Sequence, residues 1–229
     1  RKRRLVISTH AIYSFGRRRL LARLVYALLA GADHILAVGS PSRKELIALG
    51  IPAEKLAIHP NWVNLELFTP GDRQRARMKV GFDRFTVLYV GRFLEKKGVM
   101  LLAEAAKAFP EIEFAFIGTG SAESALRAAA ANCANIRIVG PVWEKGILSD
   151  YYRAADVFAS LPDYDEGFAT VYLEAIACGT PVIATPRGCL PDFIVPDVGF
   201  LIEPTTYTLA HLLARMQSEP DFLTRARAQ

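Results

Sequence analysis

The sequence predicts an α/β protein built on parallel sheets, in two α/β segments of unequal size. Three observations carry that expectation. Short apolar runs alternate with stretches of helical periodicity from end to end, the pattern of strands joined by helical crossovers. Several runs, FTVLYVG at 85–91 among them, are β-branched and apolar on both faces, as strands covered by helices on each side must be. The alternation is interrupted at 60–84, where Pro60, Asn61, Asn64, Pro70, Gly71 and Asp72 gather.

Ahead of the interruption the chain reads as a strand at 5–8 ending at Thr9-His10, a helix at 17–30 and a strand at 34–38. A helix follows Ser40-Pro41-Ser42 and ends near Gly50, and a short strand covers 57–59. Residues 60–84 read as a linker. The pattern then restarts with a strand at 85–91, a helix at 99–109, a strand at 113–118, an alanine-rich helix at 122–131 and a strand at 136–140. It continues with a helix at 147–154, a strand at 157–160, a helix at 169–178, strands at 181–185 and 200–202, and a helix at 207–218. The division is placed at 70/71: a partial segment with its linker at 1–70, and a complete α/β domain at 71–229.

Composition limits the function. With 52% hydrophobic and 22% charged residues in 229, the chain is globular, which excludes disordered and collagen-like classes. No apolar run reaches the ~18 residues of a membrane span; the best candidate, 20–38, is broken by Arg23, Asp33 and His34. Cys133, Cys178 and Cys189 are too few and too scattered for a disulfide framework or a zinc site, which suits a reducing cytoplasm. The basic start lacks the apolar stretch and cleavage site of a signal peptide, and the first residue is Arg1. The net charge of +5 is uneven: residues 1–50 hold ten Lys/Arg against two Asp/Glu, and the rest is net acidic. The cations cluster in Arg1-Lys2-Arg3-Arg4 and in Arg17-Arg18-Arg19 with Arg23. Such clusters suit a solvated face, an anionic membrane surface or nucleic acid. No aromatic-and-glycine RNA-binding signature accompanies them, so nucleic acid is not expected. The adjoining stripe of Leu20, Leu21, Leu24, Val25 and Leu28 suits a membrane or a core equally.

In an open parallel sheet, ligands bind beyond the carboxyl ends of the strands, so those ends are the places to look for chemistry. The first carries Gly91 and Arg92, with Lys97 before a helix; two cations and free helix N–H groups suit a diphosphate, or make an exposed basic turn. The second is Gly118-Thr119-Gly120, which is neither a G-x-G-x-x-G fingerprint nor a Walker loop; it lets backbone approach a ligand or simply makes the turn. The third runs from Glu166 and Gly167 through Phe168, Ala169 and Thr170 to Glu174. Glu174 sits about one turn into a largely apolar helix, where a carboxylate is costly unless paired. A vicinal diol such as a ribose would pair with it, as would a nearby Arg or Lys.

Glu166-x7-Glu174 followed by A-I-A-C-G-T-P-V-I-A-T resembles the signature of the GT-B glycosyltransferases of family 4. Further segments agree in order and spacing. Ile58-His59-Pro60-Asn61-Trp62-Val63-Asn64 with Phe68-Thr69-Pro70 is similar to the family's linker, "I-x-P-N-G-V-D…F-x-P". Val90-Gly91-Arg92 with Lys97-Gly98 resembles "V-G-R…K-G", and Phe116-Ile117-Gly118-Thr119-Gly120 resembles "I-V-G-x-G". Ile138-Val139-Gly140 and Tyr151-Tyr152-Arg153-Ala154-Ala155-Asp156-Val157-Phe158 resemble "F-x-G…Y-x-x-A-D-V-F". The likeness covers nearly the whole chain.

The resemblance implies a GT-B protein with a complete Rossmann-like C-terminal donor domain and part of an N-terminal one. It implies a retaining, metal-independent hexosyltransferase that takes a UDP-, GDP- or ADP-sugar and needs no further cofactor. Arg92 and Lys97 would grip the donor diphosphate, Glu166 the transferred sugar and Glu174 the nucleotide ribose. Backbone at Gly91, Gly118, Gly120, Gly167, Phe168, Ala169 and Thr170 would approach the donor, with Val142 beside the base and His10 beside the sugar. The acceptor would be a lipid-linked, polysaccharide or other glycan, lipopolysaccharide intermediates included, with the arginine clusters placing the protein peripherally on the inner membrane face. Ala169 stands where the family has Gly, Asp192 where it has Glu, Trp62 for Gly and Asn64 for Asp; these departures bear on donor identity. Against a full family member the chain reads as an internal fragment, inactive alone. Two other readings compete: a GT-B-fold sugar-nucleotide epimerase, against which the E-x7-E spacing speaks, and a non-catalytic nucleotide-sugar-binding or nucleic-acid-binding module.

Overall fold

The structure is a computed structural model that describes residues 4–10, 19–219 and 222–223. The chain divides into two compact units. One comprises Arg1–Trp62 with Asp165–Ala169 and Arg187–Phe193; the other comprises Val63–Tyr164, Thr170–Pro186 and Ile194–Gln229. Two short stretches of the later sequence therefore fold with the earlier unit.

The first unit carries β1 (Val6–Thr9), α1 (Arg19–Ala30), β2 (His34–Ala37), α2 (Ser40–Ala48) and β3 (Leu56–Ile58). The strands form a parallel sheet in the order β1-β2-β3, with Val6 opposite His34 and Ile35 opposite Leu56. Its core is Leu29, Ala32, Ile35, Ala37, Leu46, Ile51 and Leu56. On α1, Val25 and Leu29 pack on that core, whereas Leu20, Leu24 and Leu28 are exposed. The apolar stripe read from the sequence thus splits between two faces. Arg1, Lys2, Arg3, Arg17 and Arg18 lie outside the described residues. No helix among the described residues is long and apolar enough to cross a membrane.

The second unit holds α3 (Arg73–Val80), β4 (Thr86–Val90), α4 (Val99–Ala108), β5 (Glu113–Ile117), α5 (Glu123–Ala131), β6 (Ile136–Gly140) and α6 (Lys145–Ala154). β7 (Val157–Ala159), α7 (Thr170–Ala177), β8 (Val182–Ala184), β9 (Gly199–Leu201) and α8 (Thr206–Ser218) complete it. The six strands are parallel, in the order β6-β5-β4-β7-β8-β9. The chain winds outward from β4 through β6 and returns to the other side of β4 as β7, which puts a topological switch point at the carboxyl end of β4. Both β4 and β5 are buried along their whole length, as their apolar sequences predict.

One sequence expectation is corrected. The stretch 60–84 is not wholly linker, because α3 lies inside it. Asp72, read as a loop residue, is the N-cap, its side chain accepting the Arg75 N–H at 3.0 Å, and Gly81 ends the helix at φ +71°. Ala76 is its buried residue, so α3 has no apolar periodicity to betray it. What holds it is charge: Arg73 and Arg77 both pair with Asp156, which also accepts the Thr86 N–H at 2.9 Å. Elsewhere α6 begins two residues before the predicted start at 147, and the other elements agree to within one or two residues at each end.

Candidate functional site

The carboxyl ends of β4, β5 and β6 present Val90-Gly91-Arg92, Ile117-Gly118-Thr119 and Pro141-Val142-Trp143 to one cavity. Lys145 and Leu148 of α6 and Thr170, Val171 and Glu174 of α7 complete its walls, around a volume of ≈ 330 Å³. A larger cavity of ≈ 690 Å³ in the same unit is lined by Lys79, Asp150 and Arg153. There Asp150 is already paired with both Lys79 and Arg153, at 2.7 and 3.2 Å, so it offers less unspent charge.

Glu174 is the chemical centre of the smaller cavity. It is only 6% exposed. Its Oε2 accepts the Tyr152 hydroxyl at 2.9 Å, and its Oε1 accepts from Lys145 Nζ at 3.2 Å. Burial, and then the Glu174 charge, hold the Tyr152 phenol well above its usual range, so it stays protonated and donates. Lys145, by contrast, is half exposed, its ammonium also 5.6 Å from the Phe68 ring centre. The lysine partner expected from the sequence is present, and Glu174 also lines a cavity. Sequence reasoning missed Tyr152 and Lys145 as members of this site. The signal was their spacing of seven, which sets both on one face of α6.

The other expected residues of this unit divide. Gly91, Arg92, Gly118, Val142 and Thr170 line the cavity with Glu174. Arg92 is exposed, and its carbonyl accepts the Tyr89 hydroxyl at 2.6 Å. Lys97 lies in a 3-10 turn whose carbonyl accepts the Leu161 N–H at 3.2 Å, and it is not among the cavity-lining residues. Gly120 is likewise not among them. A Cβ on Gly118 would fall 1.9 Å from the Gly91 carbonyl oxygen, and one on Gly120 would fall 2.4 Å from that of Phe93. The turn therefore needs both glycines for its own backbone packing, whatever binds above it.

His10, Glu166, Gly167, Phe168 and Ala169 belong to the first unit. His10 is exposed at the end of β1, its Nε2 3.1 Å from Ser8 Oγ. The 165–169 loop is fixed by several bonds: Asp165 accepts the Gly188 N–H at 3.0 Å, and the Glu166 carbonyl accepts the Cys189 N–H at 3.0 Å. The Phe168 carbonyl accepts Asn61 Nδ2 at 2.7 Å, and its ring stacks on Phe193 at 4.5 Å. A Cβ on Gly167 would make only ordinary contact with the His10 carbonyl, at 3.5 Å. The departure at Asp192 has a structural use, since its carboxylate accepts the Ser40 N–H at 2.6 Å, at the N-terminus of α2. Both Cys178 and Cys189 are buried, which pushes their thiols up to about 12 and about 11.

Comparison with known proteins bears on both units. The family model for glycosyl transferases group 1 matches residues 72–229, and that for glycosyltransferase family 4 matches residues 1–67. The D-inositol 3-phosphate glycosyltransferase 1 of Catenulispora acidiphila is 34% identical in an alignment that covers 88% of this chain and 53% of that protein. The D-inositol 3-phosphate glycosyltransferase of Mycobacteroides abscessus is 34% identical over 77% of this chain and 42% of its own length. The chain thus spans about half the length of the curated relatives it matches. Among solved structures, sucrose-phosphate synthase from Thermosynechococcus elongatus superposes with a TM-score of 0.77 at 26% identity, covering 97% of this chain and 63% of that one. Anabaena HepE, solved in complex with UDP and glucose, superposes with a TM-score of 0.83 at 22% identity, covering 99% and 66%. The family matches, together with parallel sheets shared with GT-B structures, place the chain in the glycosyl transferases group 1 family, with the GT-B fold.

Proposed function

We propose that the chain carries the donor site of a retaining, metal-independent glycosyltransferase that uses a nucleoside diphosphate sugar. The observation that carries the reading is Glu174: a buried carboxylate, held from below by Tyr152, at the wall of a cavity that also contains Arg92. A carboxylate so fixed accepts both hydroxyls of a ribose. In the transfer, the bond between the sugar's anomeric carbon and the diphosphate oxygen breaks, and its electron pair leaves with the nucleotide. The acceptor hydroxyl bonds to the anomeric carbon on the same face and passes its proton to the departing diphosphate oxygen. Arg92 and Lys97 offset the charge that builds on the leaving diphosphate, which is the part a metal would otherwise play. Glu166 and His10 hold the transferred sugar, and backbone around Gly91 and at Gly167, Phe168, Ala169 and Thr170 approaches the donor. Val142 stands beside the base.

Anabaena HepE, which shares the fold and was solved in complex with UDP, supports a nucleotide donor. The curated relatives' name supports a phosphorylated cyclitol as acceptor, beside the lipid-linked, polysaccharide and other glycan acceptors that the family resemblance implies, of which the arginine clusters favour the lipid-linked. Exposed Leu20, Leu24 and Leu28 with Arg23 on α1 support peripheral docking on an anionic membrane face, in a cytoplasmic protein. The test is calorimetric titration of the chain with UDP, GDP and ADP, repeated for Glu174→Ala and Arg92→Ala and in EDTA. One nucleotide is expected to bind, to lose affinity in both variants and to be indifferent to EDTA. Equal affinity in Glu174→Ala would remove the basis of the reading.

A further inference from the structure

We infer that Trp143 is the base-stacking residue of this site, its indole covering one face of the donor's nucleobase. The inference rests on the reading of the cavity as a nucleoside diphosphate site and adds the group that binds the face of the nucleobase. Trp143 is 85% exposed, yet it forms part of the same wall as Val142 and Glu174. An aromatic face left in water beside a ligand cavity gains by covering itself with a planar ligand, and every base offers one. The remaining tryptophan, Trp62, belongs to the first unit, and its ring has that of His59 at 6.0 Å.

The local backbone presents Trp143 with little freedom. β6 ends at Gly140, whose φ of +87° an L side chain rarely adopts, and whose carbonyl accepts the Gly118 N–H at 3.0 Å. Pro141 fixes the next φ at about −65°. Three residues on, the Glu144 carbonyl accepts the Leu148 N–H at 3.0 Å and starts α6. The loop that carries the indole is thus tied at both ends, so ordering it on a ligand costs little. The polar wall groups Arg92, Lys145 and Glu174 suit a diphosphate and a ribose. Val90, Ile117, Leu148 and Val171 are apolar wall residues too, but Pro141, Val142 and Trp143 form one continuous apolar stretch of it, and Trp143 brings the aromatic face a base can stack on.

Because the chain has two tryptophans, Trp62→Phe leaves Trp143 as its single indole reporter. That variant is titrated with UDP, GDP, ADP, ribose 5-phosphate and inorganic pyrophosphate, by emission and by calorimetry. The nucleotide that binds is expected to shift the Trp143 emission, and pyrophosphate is not. Trp143→Ala is expected to weaken that nucleotide about tenfold or more, ~1.4 kcal/mol, with pyrophosphate unchanged; Trp143→Phe recovers most of the loss. Unchanged nucleotide affinity in Trp143→Ala overturns the inference and leaves the donor site standing. An equal loss for nucleotide and pyrophosphate also overturns it, since Trp143 would then shape the cavity rather than read the base. If no nucleotide binds a chain shown to be folded by circular dichroism, the donor site and the inference fall together.

Discussion

Tyr152→Phe removes one oxygen from the structure, and the consequences can be worked out. The Tyr152 ring meets Phe68 and Phe158 with centroids 6.0 and 5.9 Å apart, contacts that phenylalanine keeps. What is lost is the hydroxyl's 2.9 Å bond to Glu174 Oε2. A hydrogen bond to a charged group contributes about 1.5–3 kcal/mol. Water does not replace it, because Tyr152 is fully buried. Lys145 remains on the other oxygen, but its side chain is 53% exposed, and such a pair contributes only about 0–1 kcal/mol. The expected cost is therefore that of the phenol bond, a melting point lower by roughly 3–10 °C for a chain of this size. Affinity for the proposed nucleotide should fall as well. Re-ordering a freed side chain costs about 0.5–1.5 kcal/mol, which is roughly two- to tenfold. Thermal unfolding and calorimetric titration measure the two effects, and a double-mutant cycle with Glu174→Gln assigns them to one bond. Losses that simply add in the double variant, or an unchanged melting point, would show that the phenol does not hold the carboxylate.

Four further outcomes follow from named contacts and burial. Asp156→Ala strips Arg73, Arg77 and the Thr86 N–H of a shared acceptor; it should cost about 3–5 kcal/mol by urea unfolding. Arg73→Ala, at a side chain 36% exposed, should cost only about 1 kcal/mol. Gly118→Ala puts a methyl 1.9 Å from the Gly91 carbonyl at φ +139°; strain and clash together should cost about 3 kcal/mol or more. A loss under about 1 kcal/mol in denaturant titration would show that this turn yields easily. With thiols raised to about 12 and about 11 by burial, Cys178 and Cys189 should resist a thiol reagent at neutral pH. The native chain should release at most one equivalent, from half-buried Cys133, and three after unfolding in urea.

The strands and most helices were legible because their burial is periodic or complete. FTVLYVG could only be a covered strand, and β4 is buried at every residue. α3 was hidden for the opposite reason: it is held by Arg73 and Arg77 on Asp156 rather than by an apolar face, and hydrophobic patterning carries no trace of such a bond. Its N-cap, Asp72, was visible but read equally well as a loop residue. At the cavity, the residues that line it from strand ends were legible because parallel sheets put ligands there. Lys145 and Tyr152 were not, since Lys145 falls before the helix read at 147–154 and Tyr152 reads as an ordinary helix residue until the tertiary fold brings α6 against α7.

Glu174 shows why a buried acidic residue need not be read as either structural or functional. Left without a cation or donor, a carboxylate at 6% exposure would cost several kcal/mol. Tyr152 and Lys145 remove that cost by different means. Tyr152 is buried and fixed, so its bond persists whatever enters the cavity. Lys145 is half exposed on a four-carbon stem, so yielding its place to a ligand hydroxyl costs about 0–1 kcal/mol. On the proposed reading, Glu174 is compensated before a ligand arrives by a partner that leaves cheaply. The displaced ammonium then stays near the polyphosphate of the incoming nucleotide, where its charge is again favourable. On that same proposed reading, a lysine pair, which from sequence alone argued against ligand binding at Glu174, is what lets a buried carboxylate wait for one.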